Sequence, residues 1–271
     1  VLCILNTRKA AQEVLALLPE EGSYHLSTLM YPAHRKAVLR EVADRLEKGL
    51  PCRVVSTSLV EAGVDMDFPC VYREMAGLDS IAQAAGRCNR NGKRPAEESI
   101  VTYFRGEEPV PLLQKTRVQA AREALAGGGE PADPVVMERY FTGLRKWIGK
   151  ATDKSRAVEH LRYGYKGCLL PFARVAEDFH LIDQATSVVY IPLEEGEELS
   201  RRLLSGTADR DTYRKAGQYG VSVYQGHFRA LLEAGDIVPL SEDSAVLENM
   251  ELYREKTGLS LHSDWGKGEF I

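Results

Sequence analysis

With 271 residues, 44% of them hydrophobic and 27% charged, the chain has material for one large or two ordinary globular domains with a substantial core. A formal net charge of −4 and a pI near 6.0 argue against a protein that coats nucleic acid indiscriminately, so any such binding has to rest on a local basic face. Five cysteines (Cys3, Cys52, Cys70, Cys88, Cys168) carry no CxxC spacing and no His-rich partner segment, which speaks against a zinc ribbon or a disulfide framework and predicts small buried apolar side chains and no metal site. No apolar stretch approaches the roughly 20 residues of a membrane span, and no signal peptide leads the chain, so a cytoplasmic location without membrane contact is expected. The chain opens on Val1 directly in a strand, the look of a piece cut from a longer protein at a domain boundary.

In chain order, VLCILN (1–6) is an unbroken apolar run with a polar stop at Asn6 and Thr7, as a buried strand requires. Val14, Leu15, Leu17 and Leu18 then give the stretch from Arg8 to Leu18 one apolar side, a helix that packs back on the sheet. Tyr24 to Met30 predicts a second strand. Ala33 to Lys48 predicts an amphipathic helix with Val38, Leu39, Val42 and Leu46 inward, ended by Gly49 and Pro51. Val54 and Val55 form a short apolar run closed by Ser56, Thr57 and Ser58, a buried parallel strand with small hydroxyls at its C-terminal end. A further strand follows, and after it a helix expected to end in two arginines, with Gln83, Gly86, Arg87 and Arg90 on or beside one face. Two guanidinium forks on one face suit a phosphate chain. Ile100 to Arg105 supplies another strand. Strands alternating with helices in this rhythm require a parallel sheet with right-handed crossovers, an α/β class.

Leu112 to Leu125 reads as a helix, and AGGGEPADP (126–134) is the strongest linker signal in the chain. Between Arg139 and Lys166 lie eight basic residues against Asp153 and Glu159, interleaved with Tyr140, Phe141, Trp147, Tyr163 and Tyr165. Cations mixed with aromatics suit a single strand, where phosphates need charge and bases a stacking plane; a solvated helix face over ordinary core explains the same pattern equally well. Pro171 to Asp183, the strand SVVYIP (187–192), a polar helix from Glu195 to Leu204 and residues 214–235 compose a second, smaller α+β unit. His180 and His227 lack a nucleophile or carboxylate pair and read as structural. The end, 252–271, has a turn at Thr257 and Gly258 and then a loose polar tail.

Thr57 to Asp65 (TSLVEAGVD) resembles motif V of superfamily 2 helicases, and Gln83 to Arg90 (QAAGRCNR) resembles their motif VI, in the right order and spacing. The fuller wording, EAGVDMDF and then YREMAGLDSIAQAAGRCNRNG, resembles one branch closely, the helicase and nuclease of type I CRISPR interference. The resemblance is strong over residues 1 to about 106 and weaker to the end, where AEDFHLID and QYGVSVY carry it. It implies a second RecA-like lobe at 1–106, a helical linker at 107–165 with a Gly/Pro hinge at 126–134, and a C-terminal accessory domain at 166–271.

By motif position, Arg87 and Arg90 would be arginine fingers toward the γ-phosphate of ATP, Gly63 and Asp65 would lie near the ribose, and Gln83 would sense the adenosine or γ-phosphate. Thr57 would hold the nucleic-acid backbone. Asn6 and Thr7, with Arg8, stand where the family carries motif IV, and a strand end with an N-cap is an even competitor for that reading. Arg35, with His34 beside it, matches an arginine that helps to hold the strand, and a solvated helix start is a fair competitor for both. Neither GxxxxGK[ST] nor a DExH or DExD tetrapeptide occurs, and no HD pair, so the Gly-rich loop, the acidic Mg²⁺ motif and the nuclease would belong to an upstream nuclease domain and first RecA-like lobe, and the chain by itself is expected to be inactive.

The resemblance thus implies an ATP- and Mg²⁺-dependent, single-stranded DNA translocase, in the 3′ to 5′ direction, that answers to a crRNA-guided surveillance complex. Two other readings remain open at this stage. One is a nucleotide-independent module that binds single strands or a partner through the basic aromatic segment. The other is a different superfamily 2 enzyme acting on RNA. The motor reading collapses if the two guanidiniums point into the packed interior or turn away from the open edge.

Overall fold

A computed structural model describes residues 1–61, 63–107, 109–149, 157–163, 171–179 and 186–261. The apolar runs identified above become a five-stranded, wholly parallel sheet of β1 (Leu2–Ile4), β2 (Ser23–Leu26), β3 (Arg53–Ser56), β4 (Cys70–Glu74) and β5 (Ile100–Phe104) in the order β2-β3-β1-β4-β5. Helix α1 (Arg8–Ala16) covers one face through Ala11, Leu5 and Val55, and α2 (Pro32–Glu47) and α3 (Leu78–Ala85) cover the other through Val42, Ile4, Phe68 and Ala84. Proline at the start of α2 fits because the first helical N–H has no partner to lose. The crossover from β1 runs toward β2 and that from β4 toward β5, so the connections diverge between β1 and β4. Open parallel sheets place functional groups at such a divergence, beyond the strands' carboxyl ends.

Two expectations change in detail. The helix carrying Gln83 stops at Ala85, and Arg87 to Arg90 lie in the turn beyond it. The chain is pulled away because Phe68 N–H donates to the Arg87 carbonyl (2.8 Å) and Asn89 N–H to the Phe68 carbonyl (2.9 Å), with Asn89 at φ 47° completing the bend. The Gly/Pro stretch at 126–134 forms the turn between α4 (Leu112–Ala126) and α5 (Pro134–Ile148). These helices pack on each other and on α3 through Val118, Ala121, Val136, Tyr140, Leu78 and Ile81. Asp133 caps α5, and the Arg139 guanidinium donates to the Gly128 carbonyl across the turn.

After α6 (Ala157–Tyr163) and α7 (Phe172–Asp178), a mixed sheet forms in the order β7-β6-β9-β8. Its strands are β6 (Thr186–Tyr190), β7 (Gly220–Tyr224), β8 (Ile237–Ser241) and β9 (Ser244–Leu247), with α8 (Glu195–Leu204), α9 (Arg210–Ala216) and α10 (Gln225–Glu233) in the same unit. Its core is not closed on itself. Leu29 and Tyr31, from the loop after β2, pack among Val189, Tyr219, Phe228 and Leu259. The rings of Tyr31 and Tyr253 stack with centroids 5.2 Å apart, and Tyr253 Oη lies 2.7 Å from His34 Nδ1.

A short antiparallel pair, β10 (Tyr253–Arg254) and β11 (Gly258–Leu259), completes this seam, with Leu259 N–H donating to the Leu29 carbonyl at 2.8 Å. Gly258, at φ +79°, leaves no room for a Cβ, which would stand 2.4 Å from the Leu29 carbonyl oxygen. Gly258→Ala combines a left-handed backbone with a backbone clash, and is expected to lower unfolding free energy by roughly 2–4 kcal/mol in a urea titration.

His25 on β2 is 2% exposed, and burial pushes its pKa down to about 4, against a weaker opposing influence of the Val55 backbone. The unfolded chain takes up a proton near pH 6.5 that the folded chain refuses until about pH 4. Stability therefore falls as the pH drops through that window, by roughly 3 kcal/mol for this residue. Burial lowers His34 and His227 as well, which adds to the same slope. Urea unfolding at pH 7 and at pH 4.5 checks it, and His25→Gln is expected to flatten the difference.

Candidate functional site

The site grows from the end of β3. Ser56 is fully buried and its hydroxyl donates to the Leu26 carbonyl at 2.9 Å, so the first of the three hydroxyls ties strands together. Thr57 is half-buried, and its side chain makes no capping bond to the single helical turn at Ser58–Val60 that follows. The loop then passes through Gly63, exposed at φ +72°, to Asp65, whose side chain is 87% exposed.

Facing this loop is the turn after α3. Arg90 Nε lies 2.8 Å from Asp65 Oδ1, and the Arg90 backbone N–H donates to Asp67 Oδ1 at 2.9 Å. The Arg90 side chain is 43% exposed and its Nη2 has no partner among the described residues. Gln83 is exposed on the last turn of α3. Arg87 behaves differently. It is 7% exposed, and all three of its nitrogens donate to carbonyls of the loop: Nε to Val60 at 3.0 Å, Nη1 to Val64 at 2.5 Å and Nη2 to Glu61 at 2.7 Å. Burial lowers its pKa, nearby Arg90 lowers it further and Asp65 opposes both. Of these two guanidiniums, one faces outward.

Beneath the loop is a buried polar network that sequence reading did not find. Glu61 and Arg73 are both nearly inaccessible and paired, Arg73 Nε lying 2.9 Å from Glu61 Oε1. Arg73 Nη2 donates to Ser80 Oγ (2.9 Å), Ser80 donates to Glu61 Oε1 (2.7 Å), and Arg73 Nη1 donates to Asn6 Oδ1 (2.8 Å). Desolvation raises the Glu61 pKa, with Arg73 and then Ser80 opposing it. Asn6 is spent here as well: its backbone N–H donates to Glu74 Oε2 at 2.7 Å and its Nδ2 to the Met75 carbonyl at 3.0 Å. The available signal was RE at 73–74, two charges inside a buried strand.

Thr7 caps α1, its hydroxyl accepting from Ala10 N–H at 3.1 Å, which is the competitor weighed for it. Arg35 and His34 belong to the seam, half-buried beside Tyr253. The structure thus brings Thr57, Gly63, Asp65, Gln83, Arg87 and Arg90 to one loop-and-turn region, and leaves Asn6, Thr7 and Arg35 engaged elsewhere. In the basic aromatic segment, Tyr140 is core, its hydroxyl donating to Asp79 Oδ1 at 2.6 Å, while Phe141 and Trp147 are exposed at 42% and 58%. Lys150, Lys154, Arg156, Tyr165 and Lys166 lie outside the described residues, as do His180, Cys168 and the terminal tail. Among the described residues no His/Cys/Asp/Glu group suits a metal ion, and no helix is long and apolar enough to cross a membrane.

Residues 1–93 match the family described as CRISPR-associated nuclease/helicase Cas3, C-terminal. A CRISPR-associated nuclease/helicase Cas3 from Haloferax volcanii is 47% identical over 62 residues, which are 22% of this chain and 7% of that protein. The whole chain superposes on 38% of the crystal structure of T. fusca Cas3, with a TM-score of 0.61 and 15% identity. It likewise superposes on 40% of a chain from a CRISPR RNA-guided surveillance complex in a pre-nicking state, with a TM-score of 0.50 and 14% identity. The chain spans about two-fifths of the solved proteins it matches. Residues 1–93 thus match the family model of the Cas3 C-terminal region, and the chain shares the fold of that region in the solved Cas3 structure.

Proposed function

We propose that this chain is the second motor lobe and C-terminal domain of an ATP-driven translocase on single-stranded DNA that works in type I CRISPR interference. The observation that carries the reading is the outward guanidinium of Arg90 and the exposed carboxylate of Asp65, held 2.8 Å apart on the turn and loop whose wording is the family's. Arg90 lies on the turn bonded to Phe68 at the entry to β4, and the loop that leaves the carboxyl end of β3 brings Asp65 to it. Donors aimed outward from a fixed turn suit a triphosphate oxygen, so the residues present fit the far side of a nucleotide.

Bound ATP with Mg²⁺ supplies the phosphoanhydride whose cleavage releases free energy. In this proposal Arg90 offsets the charge that accumulates on the transferring phosphoryl group, Asp65 and Gly63 border the sugar, Gln83 monitors the base or γ-phosphate, and Thr57 holds the DNA backbone. The Gly-rich loop, the acidic motif and the nuclease are contributed by other parts of the full-length protein, so residues 1–271 alone turn over no ATP. The solved surveillance-complex chain with the same fold supports a crRNA-guided complex as the recruiting partner.

The test is the ATPase rate of the full-length protein with single-stranded DNA and with RNA of the same sequence. Stimulation by DNA alone is the expected result. Stimulation by RNA alone would reassign the substrate, since 2′-hydroxyl contacts make that choice, and stimulation by neither would remove the motor.

A further inference from the structure

We infer that Arg87 is a positioning residue, one that clamps the loop 57–65 to the turn carrying Arg90 instead of reaching the triphosphate. The inference deepens the motor reading and rests on it. Arg87 is 7% exposed and gives each of its three nitrogens to a different carbonyl, those of Val60, Glu61 and Val64. A guanidinium is a rigid planar fork, so three diverging acceptors fix it in one orientation. Withdrawing it toward a ligand would strip buried carbonyls of their donors, and Val60 itself is wholly inaccessible.

The same loop is held from beneath. Glu61 sends its carbonyl outward to Arg87 and its carboxylate inward to Arg73 and Ser80, so that one residue joins both attachments. Arg87 is in turn fixed through its own backbone, its carbonyl accepting from Phe68 N–H at the entry to β4. The segment between Thr57 and Asp65 therefore moves with the turn that follows α3. A displacement of Arg90 or Asp65 by the nucleotide is carried by Arg87 to Thr57, on the strand side. The two arginines divide the work: Arg90 faces the ligand and Arg87 transmits its movement.

The experiment compares Arg87→Ala, Arg87→Lys and Arg90→Ala in the full-length protein. Turnover at saturating DNA, the DNA concentration giving half-maximal stimulation, and hydrogen exchange of amides 58–65 are measured for each. Both Arg87 variants are expected to raise the half-stimulating DNA concentration about tenfold, to hold turnover at saturating DNA within about tenfold, and to speed exchange in the loop. Lysine is expected to resemble alanine, because one ammonium cannot serve three diverging carbonyls. Should Arg87→Ala misfold, Arg87→Lys with its exchange rates decides alone. Unaltered loop exchange, or a turnover loss of about a hundredfold at saturating DNA that lysine partly restores, overturns the clamp and returns Arg87 to the transition state. Unchanged turnover in Arg90→Ala removes the motor reading itself, an outcome separate from either Arg87 result.

Discussion

Replacing Arg90 with alanine in the full-length protein is expected to lower DNA-stimulated ATP turnover by about 10³-fold or more, with folding and DNA binding unchanged. Arginine fingers act on charge that develops in the transition state, so the loss belongs in kcat and not in nucleotide affinity. The Arg90 side chain is 43% exposed and its one carboxylate partner, Asp65, is 87% exposed, which makes their ion pair a minor contributor to stability. Its removal leaves no buried group unsatisfied. The turn itself survives, because the Arg90 backbone N–H still donates to Asp67, and Asn89 and Arg94 still bond to each other. The check is steady-state ATPase at saturating DNA beside a thermal melt. A matched melt with turnover unaltered would deny Arg90 the role.

The parts of this fold that were legible in the sequence are those set by local pattern. VLCIL and the Val54-Val55 pair announced buried parallel strands, and Val38, Leu39, Val42 and Leu46 announced the inner side of α2, because a strand or helix needs only its own neighbours to display its period. The turn after α3 was misjudged for the opposite reason. QAAGRCNR keeps helical spacing through Arg90, yet a long-range exchange with Phe68 ends the helix at Ala85. The seam was invisible on similar grounds: Tyr31 and Tyr253 stack across more than two hundred residues, and no spacing rule reports such a pair. Motif order picked out a loop and a turn that the fold brings together, but not the direction each side chain takes. That depends on which carbonyls the loop leaves unpaired, and Val60, Glu61 and Val64 recruit Arg87 inward.

The buried pair of Glu61 and Arg73 carries the largest expected stability effect. Arg73→Ala strips Glu61 of its counter-charge at a site 8% exposed, and takes donors from Ser80 and Asn6 as well. A loss of roughly 3–5 kcal/mol in urea unfolding at pH 7 is expected, because one buried charge is left uncompensated. Desolvation already raises the Glu61 pKa with Arg73 in place to oppose it, and without Arg73 that rise grows. A carboxyl whose folded pKa exceeds its unfolded value binds its proton more tightly when folded, so stability falls as the pH rises through the folded pKa and returns on acidification. Relative to the parent at each pH, Arg73→Ala is therefore expected to recover on acidification. Arg73→Met with Glu61→Leu removes both charges together and should cost far less than the two single changes summed. A deficit in Arg73→Ala that stays constant with pH would mean that Glu61 finds another donor, and that the loop bearing Thr57 and Asp65 is held by something other than this pair.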